Sequence, residues 1–220
     1  WWGGTGDPHL QAAEEGLTVV YKSPMLDKLR PWSQKQAKQA GYKTVGIYMG
    51  ALGFGYNTEL LKKKGLPEPK CWKDLTKPVY KGHVAMPNPN SSGTGFLDVS
   101  SWLQMFGEKA GWDFMDGLHQ NISHYTHSGS KPCKQAAAGE VPIGVSFAFR
   151  GAKSKAQGAP LEIVVASEGI GWDMEATALV KGTDNLEAAK KLVDWSITEK
   201  ANKLYNEGYA VIAITELAKP

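Results

Sequence analysis

The stretch HVAMPNPNSSGTGFLDVSSWLQMF, residues 83–106, carries the strand-to-helix pattern from which the fold class is read. It opens with a short β-prone run, His83–Met86, and turns through Pro87–Asn90, where two prolines and two asparagines interrupt any regular element. Five small residues, Ser91-Ser92-Gly93-Thr94-Gly95, then lead into an apolar helix over Phe96–Phe106. A strand that feeds a helix through a glycine- and hydroxyl-rich turn is half of an α/β unit. The helix start is also where backbone N–H groups lack partners.

The same alternation extends on both sides. Upstream, TVGIYMGALGFGYN (Thr44–Asn57) reads as one long bent strand or two strands, with glycines permitting a close backbone approach. Thr58–Lys64 is helical and stops at Gly65. Pro67–Lys81 holds a short helix around Trp72–Leu75, and weaker helical stretches cover His9–Glu15 and Leu26–Ala40. Downstream, helices are expected at Trp112–Gln120 and Lys131–Ala138, and strands at Ile143–Phe149, Leu161–Ala166 and Met174–Val180. Leu186–Asn206 reads as one long helix, with Leu186, Ala189, Leu192, Val193, Trp195 and Ile197 on its apolar side. The fold class is α/β. The opening residues, Trp1–Pro8, resemble the end of a strand and its loop, so a doubly wound unit read from residue 1 lacks its first strand and helix.

Composition narrows the function classes. Of 220 residues, 42% are hydrophobic and 21% charged, which excludes a disordered chain. Lys and Arg number 25 against 22 Asp and Glu, and the net charge of +3 is too small to argue for nucleic acid. No apolar run approaches the roughly 18 residues of a membrane span, and no charged-then-apolar leader opens the chain. Cys71 and Cys133 stand apart from any Cys or His at metal-ligand spacing; two unrelated thiols and one disulfide are both open from the residues alone.

No enzyme signature is present: no Gly-x-Ser-x-Gly elbow, no His-Glu-x-x-His and no phosphate-binding loop ending in Gly-Lys-Ser/Thr. Three loops share a different character: Gly3-Gly4-Thr5-Gly6, Ser91–Gly95 and Thr126-His127-Ser128-Gly129-Ser130. Glycine lets amides approach a ligand, hydroxyls add donors, and a helix N-terminus adds partial positive charge, which together suit an oxyanion. Ordinary helix capping would use the same residues. A fourth stretch, Glu168–Asp173, sets carboxylates beside Trp172, a combination that suits an ammonium group. An acidic surface turn with a packing tryptophan reads the same.

PNPNSSGTGFLDVSSWLQ (87–104), SGSKPCKQAAAGEVPIGVSFAFRG (128–151) and EGIGWDMEATALVKGT (168–183) resemble periplasmic solute-binding proteins of ABC importers. The branch is the one with ferric-ion, hexose-phosphate and 2-aminoethylphosphonate binders, and the likeness is greatest to the last. It runs from Trp1 to about Ala213. The resemblance implies a two-lobed type II periplasmic binding fold whose lobes close on ligand in a cleft, here without the N-terminal unit of lobe 1. Residues 1–53 and 168–220 would form lobe 1 and residues 54–167 lobe 2, with hinges at Gly50–Gly55 and Glu168–Gly171. It implies no catalysis, no cofactor and no metal. It further implies a monomer in the periplasm, or held extracellularly at the membrane, serving an ABC permease. An oxidising compartment would then favour a Cys71–Cys133 disulfide.

Under that reading the ligand is a small phosphonate, 2-aminoethylphosphonate. Ser91, Ser92, Thr94 and Gly95 would donate to its oxygens, and Thr5, Gly6, Ser128 and Ser130 would complete the cage. Glu168 or Asp173, with Asp7 in reserve, would pair with the ammonium. A ferric or hexose-phosphate binder of the same branch is the first alternative. For iron, Tyr205 and Tyr209 could stand in for the adjacent tyrosines of phenolate-using relatives; a hexose phosphate would call for several carboxylates and amides. A phosphate-ester enzyme is the alternative from another class, with His127 as its sole candidate base.

Overall fold

The computed structural model describes residues 1–208 and 210–212. They divide into two compact units: unit 1 is Trp1–Gly50 with the described residues from Asp173 on, and unit 2 is Ala51–Trp172.

Along the chain, unit 1 begins with β1 (Trp2–Thr5) and α1 (Gly6–Glu14), then a 3-10 turn at Leu26–Lys28 and α2 (Pro31–Gln39). Pro31 suits the first turn of α2, where no amide partner is lost. The 13-residue strand β2 (Val45–Asn57) carries the chain into unit 2. The side chain of Asn57 accepts from Leu60 N at 2.9 Å and so starts α3 (Thr58–Lys64). Gly65 ends α3 at φ 63°, and Lys62, Lys63 and Lys64 lie at its negative end.

Unit 2 continues with a 3-10 turn at Trp72–Thr76, β3 (Val84–Pro87), α4 (Gly93–Phe106), α5 (Glu108–His119) and β4 (Ile122–Thr126). Then come α6 (Lys131–Ala137), β5 (Ile143–Phe147), α7 (Ala148–Ala156) and β6 (Leu161–Val164). The return to unit 1 supplies β7 (Trp172–Thr177), α8 (Leu186–Ser196), α9 (Glu199–Glu207) and β8 (Val211–Ile212). No helix among the described residues is long and apolar enough to cross a membrane.

In unit 2, β3 runs parallel to both β4 and β5, while β2 pairs antiparallel with β5 and β6. Its core joins Leu52, Val84, Leu118, Ile143 and Val145 to an aromatic series, Phe54–Trp72–Trp102–Phe114, with centroids 5.2–5.5 Å apart. In unit 1, β1 pairs antiparallel with β7, and β8 with the start of β2. Ile47, Leu179, Val193, Ile197 and Tyr205 fill its separate core.

Several elements depart from expectation, among them α4, which opens at Gly93 rather than Phe96, α5, which opens at Glu108 rather than Trp112, and the stretch from Leu26, which is a 3-10 turn followed by α2. β4 was not expected at all: ISHYT has no apolar alternation, and its three middle residues are exposed. The strand expected over Ile143–Phe149 ends at Phe147, and α7 begins at Ala148. Gly151 does not break α7, because it seats the helix against Ile163, where a Cβ would collide. The single helix expected over Leu186–Asn206 is two, because Thr198 turns extended and its hydroxyl caps Ala201 N at 3.3 Å. The disulfide is absent: Cys71 and Cys133 are both free. Cys71 precedes the turn at Trp72–Thr76 beside Asp74 and Glu168, whereas Cys133 is buried in α6 with Sγ toward Gly144 O at 3.5 Å. Burial pushes the Cys133 thiol up to about 12.

Candidate functional site

Because β3, β4 and β5 are parallel, their carboxyl ends share one edge, and each is followed there by a helix. In α/β sheets this edge is where ligands bind. Two of the hydroxyl loops lie on it. Asn88 N donates to Thr126 O at 2.8 Å and ties the β3 exit to the β4 exit. Ser91 N and Ser92 N then fold back onto Asn88 O.

Gly129 brings the two loops into contact. A Cβ built there would collide with Thr94 Oγ1 and fall 3.3 Å from Ser92 Oγ. Ser146, buried on β5, holds Gly129 in place by donating to its carbonyl at 2.6 Å. Ser92 caps α4 by accepting from Gly95 N at 3.4 Å. The helix start leaves the amides of Gly93 and Thr94 without an intrahelical acceptor. Gly95 serves packing: a Cβ would meet Pro87 O at 2.6 Å. Ser91 Oγ sits 2.8 Å from His127 Nδ1, and Ser128 Oγ 3.2 Å from Ser130 Oγ. The edge thus gathers Ser91, Ser92, Thr94, Gly95, Ser128 and Ser130 with partial positive charge and no carboxylate among them. Asp98, one turn below Thr94, is fully buried with both carboxyl oxygens unpartnered; burial pushes its carboxyl well up, favouring the neutral form.

Ser146 and Arg150 were missed by sequence reasoning. Ser146 is a lone hydroxyl in an apolar strand, which is a weak signal. Arg150 opens α7 on the same edge, with its guanidinium 4.6 Å from the Phe149 ring centre. An arginine just after a buried strand could have drawn notice.

Unit 1 treats its glycine loop differently. Gly6 N donates to Asp173 Oδ2 at 2.9 Å, and Gly4 N to Glu175 Oε2 at 3.3 Å. Asp173 Oδ1 also accepts from Met174 N at 2.7 Å, and Glu175 accepts from Tyr48 Oη at 2.7 Å. Burial pushes the Asp173 carboxyl up to about 6 against those two amide bonds, with Asp7 and Glu175 adding like charge. Thr5 is buried and makes no capping bond to α1. Glu168, in unit 2, is engaged elsewhere. It accepts from Trp72 N at 3.3 Å and Lys73 N at 3.1 Å. Burial works against that carboxylate, but the amides and the Cys71 thiol hold it below the usual range.

Among the described residues no carboxylate hydrogen-bonds His127, and no three His, Cys, Asp or Glu gather as metal ligands. Tyr205 Oη donates to Ser196 O at 2.8 Å, and Tyr209 lies outside the described residues.

Known proteins share this architecture. A family model described as bacterial extracellular solute-binding protein matches residues 6–219. An uncharacterized protein of Haemophilus influenzae is 45% identical over 205 residues, 93% of this chain and 59% of its own length. The chain therefore spans about three-fifths of that relative. The periplasmic binding protein AfuA from Actinobacillus pleuropneumoniae, solved with fructose-6-phosphate, superposes with a TM-score of 0.91 at 41% identity. The periplasmic binding protein P5PA gives 0.91 at 33%. Each structural match covers 100% of this chain and 70% of the other. The α/β fold is the type II periplasmic-binding-protein fold, and the kinship is to binders rather than enzymes. The chain belongs to the bacterial extracellular solute-binding proteins.

Proposed function

We propose that this protein is an extracytoplasmic binding protein that captures a small organic phosphate, a sugar monophosphate, and delivers it to an ABC permease. The observation that carries the reading is the convergence of two hydroxyl loops on Gly129 at the carboxyl edge of three parallel strands. Ser92, Thr94, Ser128 and the amides of Gly93 and Thr94 are donors of the kind a phosphoryl group takes, and charge-assisted bonds of this type are strong. The likeness to AfuA with its bound fructose-6-phosphate supports the sugar phosphate.

2-Aminoethylphosphonate would present a similar oxyanion to the same loops. Its ammonium would need a carboxylate, and Glu168 and Asp173 are both engaged with backbone amides. Calorimetric titration with fructose-6-phosphate, 2-aminoethylphosphonate, ethylphosphonate and inorganic phosphate tests the reading. Fructose-6-phosphate should bind at least about tenfold tighter than the others, a difference of about 1.4 kcal/mol. A preference for the aminophosphonate would replace the sugar with an amine. No binding of any of the four would remove the oxyanion site itself.

A further inference from the structure

Unit 2 contains a concavity, lined by α4, α5, β4 and the end of β3, with room for about 190 Å³. Met86, Val99 and Leu118 form its apolar walls, and Trp112 and Tyr125 add aromatic faces. Both aromatics are accessible, at 50% and 39% exposure. His119 steadies Tyr125: its Nδ1 lies 2.7 Å from the phenol oxygen and the two rings stack. One carboxylate, Asp116, lines the cavity. Asp116 is exposed and pairs with no cation among the described residues, whereas Asp113 on the same helix is held by Lys109 at 2.7 Å.

These features select a ligand class. Apolar walls reward a hydrocarbon body, and aromatic faces with one carboxylate reward a cation while repelling an anion. That room is below the usual range for drug-sized ligands, so the occupant is one ring or a short chain. We propose that this cavity binds a small primary ammonium compound with an apolar or aromatic body, independently of the oxyanion site. The ammonium lies at Asp116 and against Trp112 or Tyr125, and the body lies on Met86, Val99 and Leu118.

The probe is 2-phenylethylammonium, followed through the indole N–H resonances of ¹⁵N-tryptophan-labelled protein, with Trp112 assigned by Trp112→Phe. A saturable shift of Trp112 is expected in the millimolar range, with neutral 2-phenylethanol about fivefold weaker. Val99→Phe should fill the cavity and abolish the shift while leaving fructose-6-phosphate titration as in the unmodified protein. Asp116→Asn should erase the preference for the ammonium and leave 2-phenylethanol unchanged. No saturable shift up to about 10 mM, equal binding of the two probes, or an undiminished shift in Val99→Phe would each overturn the proposal. Loss of sugar-phosphate binding with the ammonium site intact would bear only on the other site.

Discussion

Two glycine loops of similar composition have opposite electrostatics. The loop before α4 in unit 2 presents Ser92, Thr94 and first-turn amides with no carboxylate bonded to them. The loop before α1 in unit 1 has given the amides of Gly4 and Gly6 to Glu175 and Asp173, residues 171 and 167 positions away. The first can take an anion. The second already holds two, and both oxygens of Asp173 are occupied by backbone amides. Small residues before a helix therefore leave amides and hydroxyls open to an oxyanion only where the fold brings no acid to them.

The sharpest way to break this contrast is to add a side chain to each loop. Gly129→Val has nowhere to go, because its Cβ alone collides with Thr94 Oγ1. Overpacking there should lower stability by about 3 kcal/mol and, by forcing the two loops apart, separately weaken phosphate-ligand binding by about a hundredfold. Gly6→Ala in unit 1 places its Cβ 3.1 Å from Asp173 Oδ1, a contact the carboxylate can relieve. Its effect should stay below about 1 kcal/mol. Titration of both variants with fructose-6-phosphate checks this, and equal losses would erase the distinction between the loops.

Next in size are the hydroxyls themselves. Ser92→Ala and Thr94→Ala should each weaken binding by about 1.5–3 kcal/mol, the range for hydrogen bonds to charged groups. Ser92→Ala should also lower stability by about 1 kcal/mol, because Ser92 caps α4, whereas Thr94→Ala should not. Calorimetry beside thermal melts separates the two roles. If both variants lose stability and keep full affinity, the loop is only a cap.

How much of this could be read beforehand follows from the range of each signal. Asn57 and Gly65 bracket α3, and Thr58–Lys64 is both the expected and the observed helix. Local capping chemistry suffices there. The Ser91–Gly95 loop and its helix were legible for the same reason. The split at Thr198 is also local, but it hides inside an unbroken apolar stripe. β4 and the partners of Gly4 and Gly6 are set by tertiary contacts. Nothing near Glu175 in sequence says that it reaches Gly4, and nothing near Ser146 says that it fastens Gly129.

The acid of unit 1 offers a smaller, pH-dependent effect. The Asp173 carboxyl is raised to about 6 in the folded protein from about 3.8. The folded state therefore binds more protons than the unfolded state between about pH 4 and pH 6, and stability falls as pH rises through that window. Asp173→Asn keeps an oxygen for Gly6 N and removes the charge. Its NH2 would face Met174 N, which costs stability at every pH, so the readout is the slope: the fall in stability from pH 4.5 to pH 7 should shrink by about 2 kcal/mol, allowing for solvent screening. Urea denaturation at pH 4.5 and 7 measures it, and an unchanged slope would show that another group titrates there.

The smallest expected effect concerns Glu168 and decides what that acid is for. If it faced a ligand ammonium, removing its charge would abolish any preference for 2-aminoethylphosphonate over ethylphosphonate. Its oxygens instead accept from Trp72 N and Lys73 N at the start of the turn at Trp72–Thr76, as a helix cap does. Glutamine keeps one acceptor oxygen and loses the charge-assisted part of both bonds. Glu168→Gln should therefore lower stability by about 1 kcal/mol, within the range for a lost cap, and leave the ratio of the two phosphonate affinities within about twofold of the unmodified protein. A thermal melt and paired titrations give both numbers. A collapsed ratio with unchanged stability would move Glu168 from the packing of unit 2 to its ligand, and would reopen the amine-bearing phosphonate as the solute.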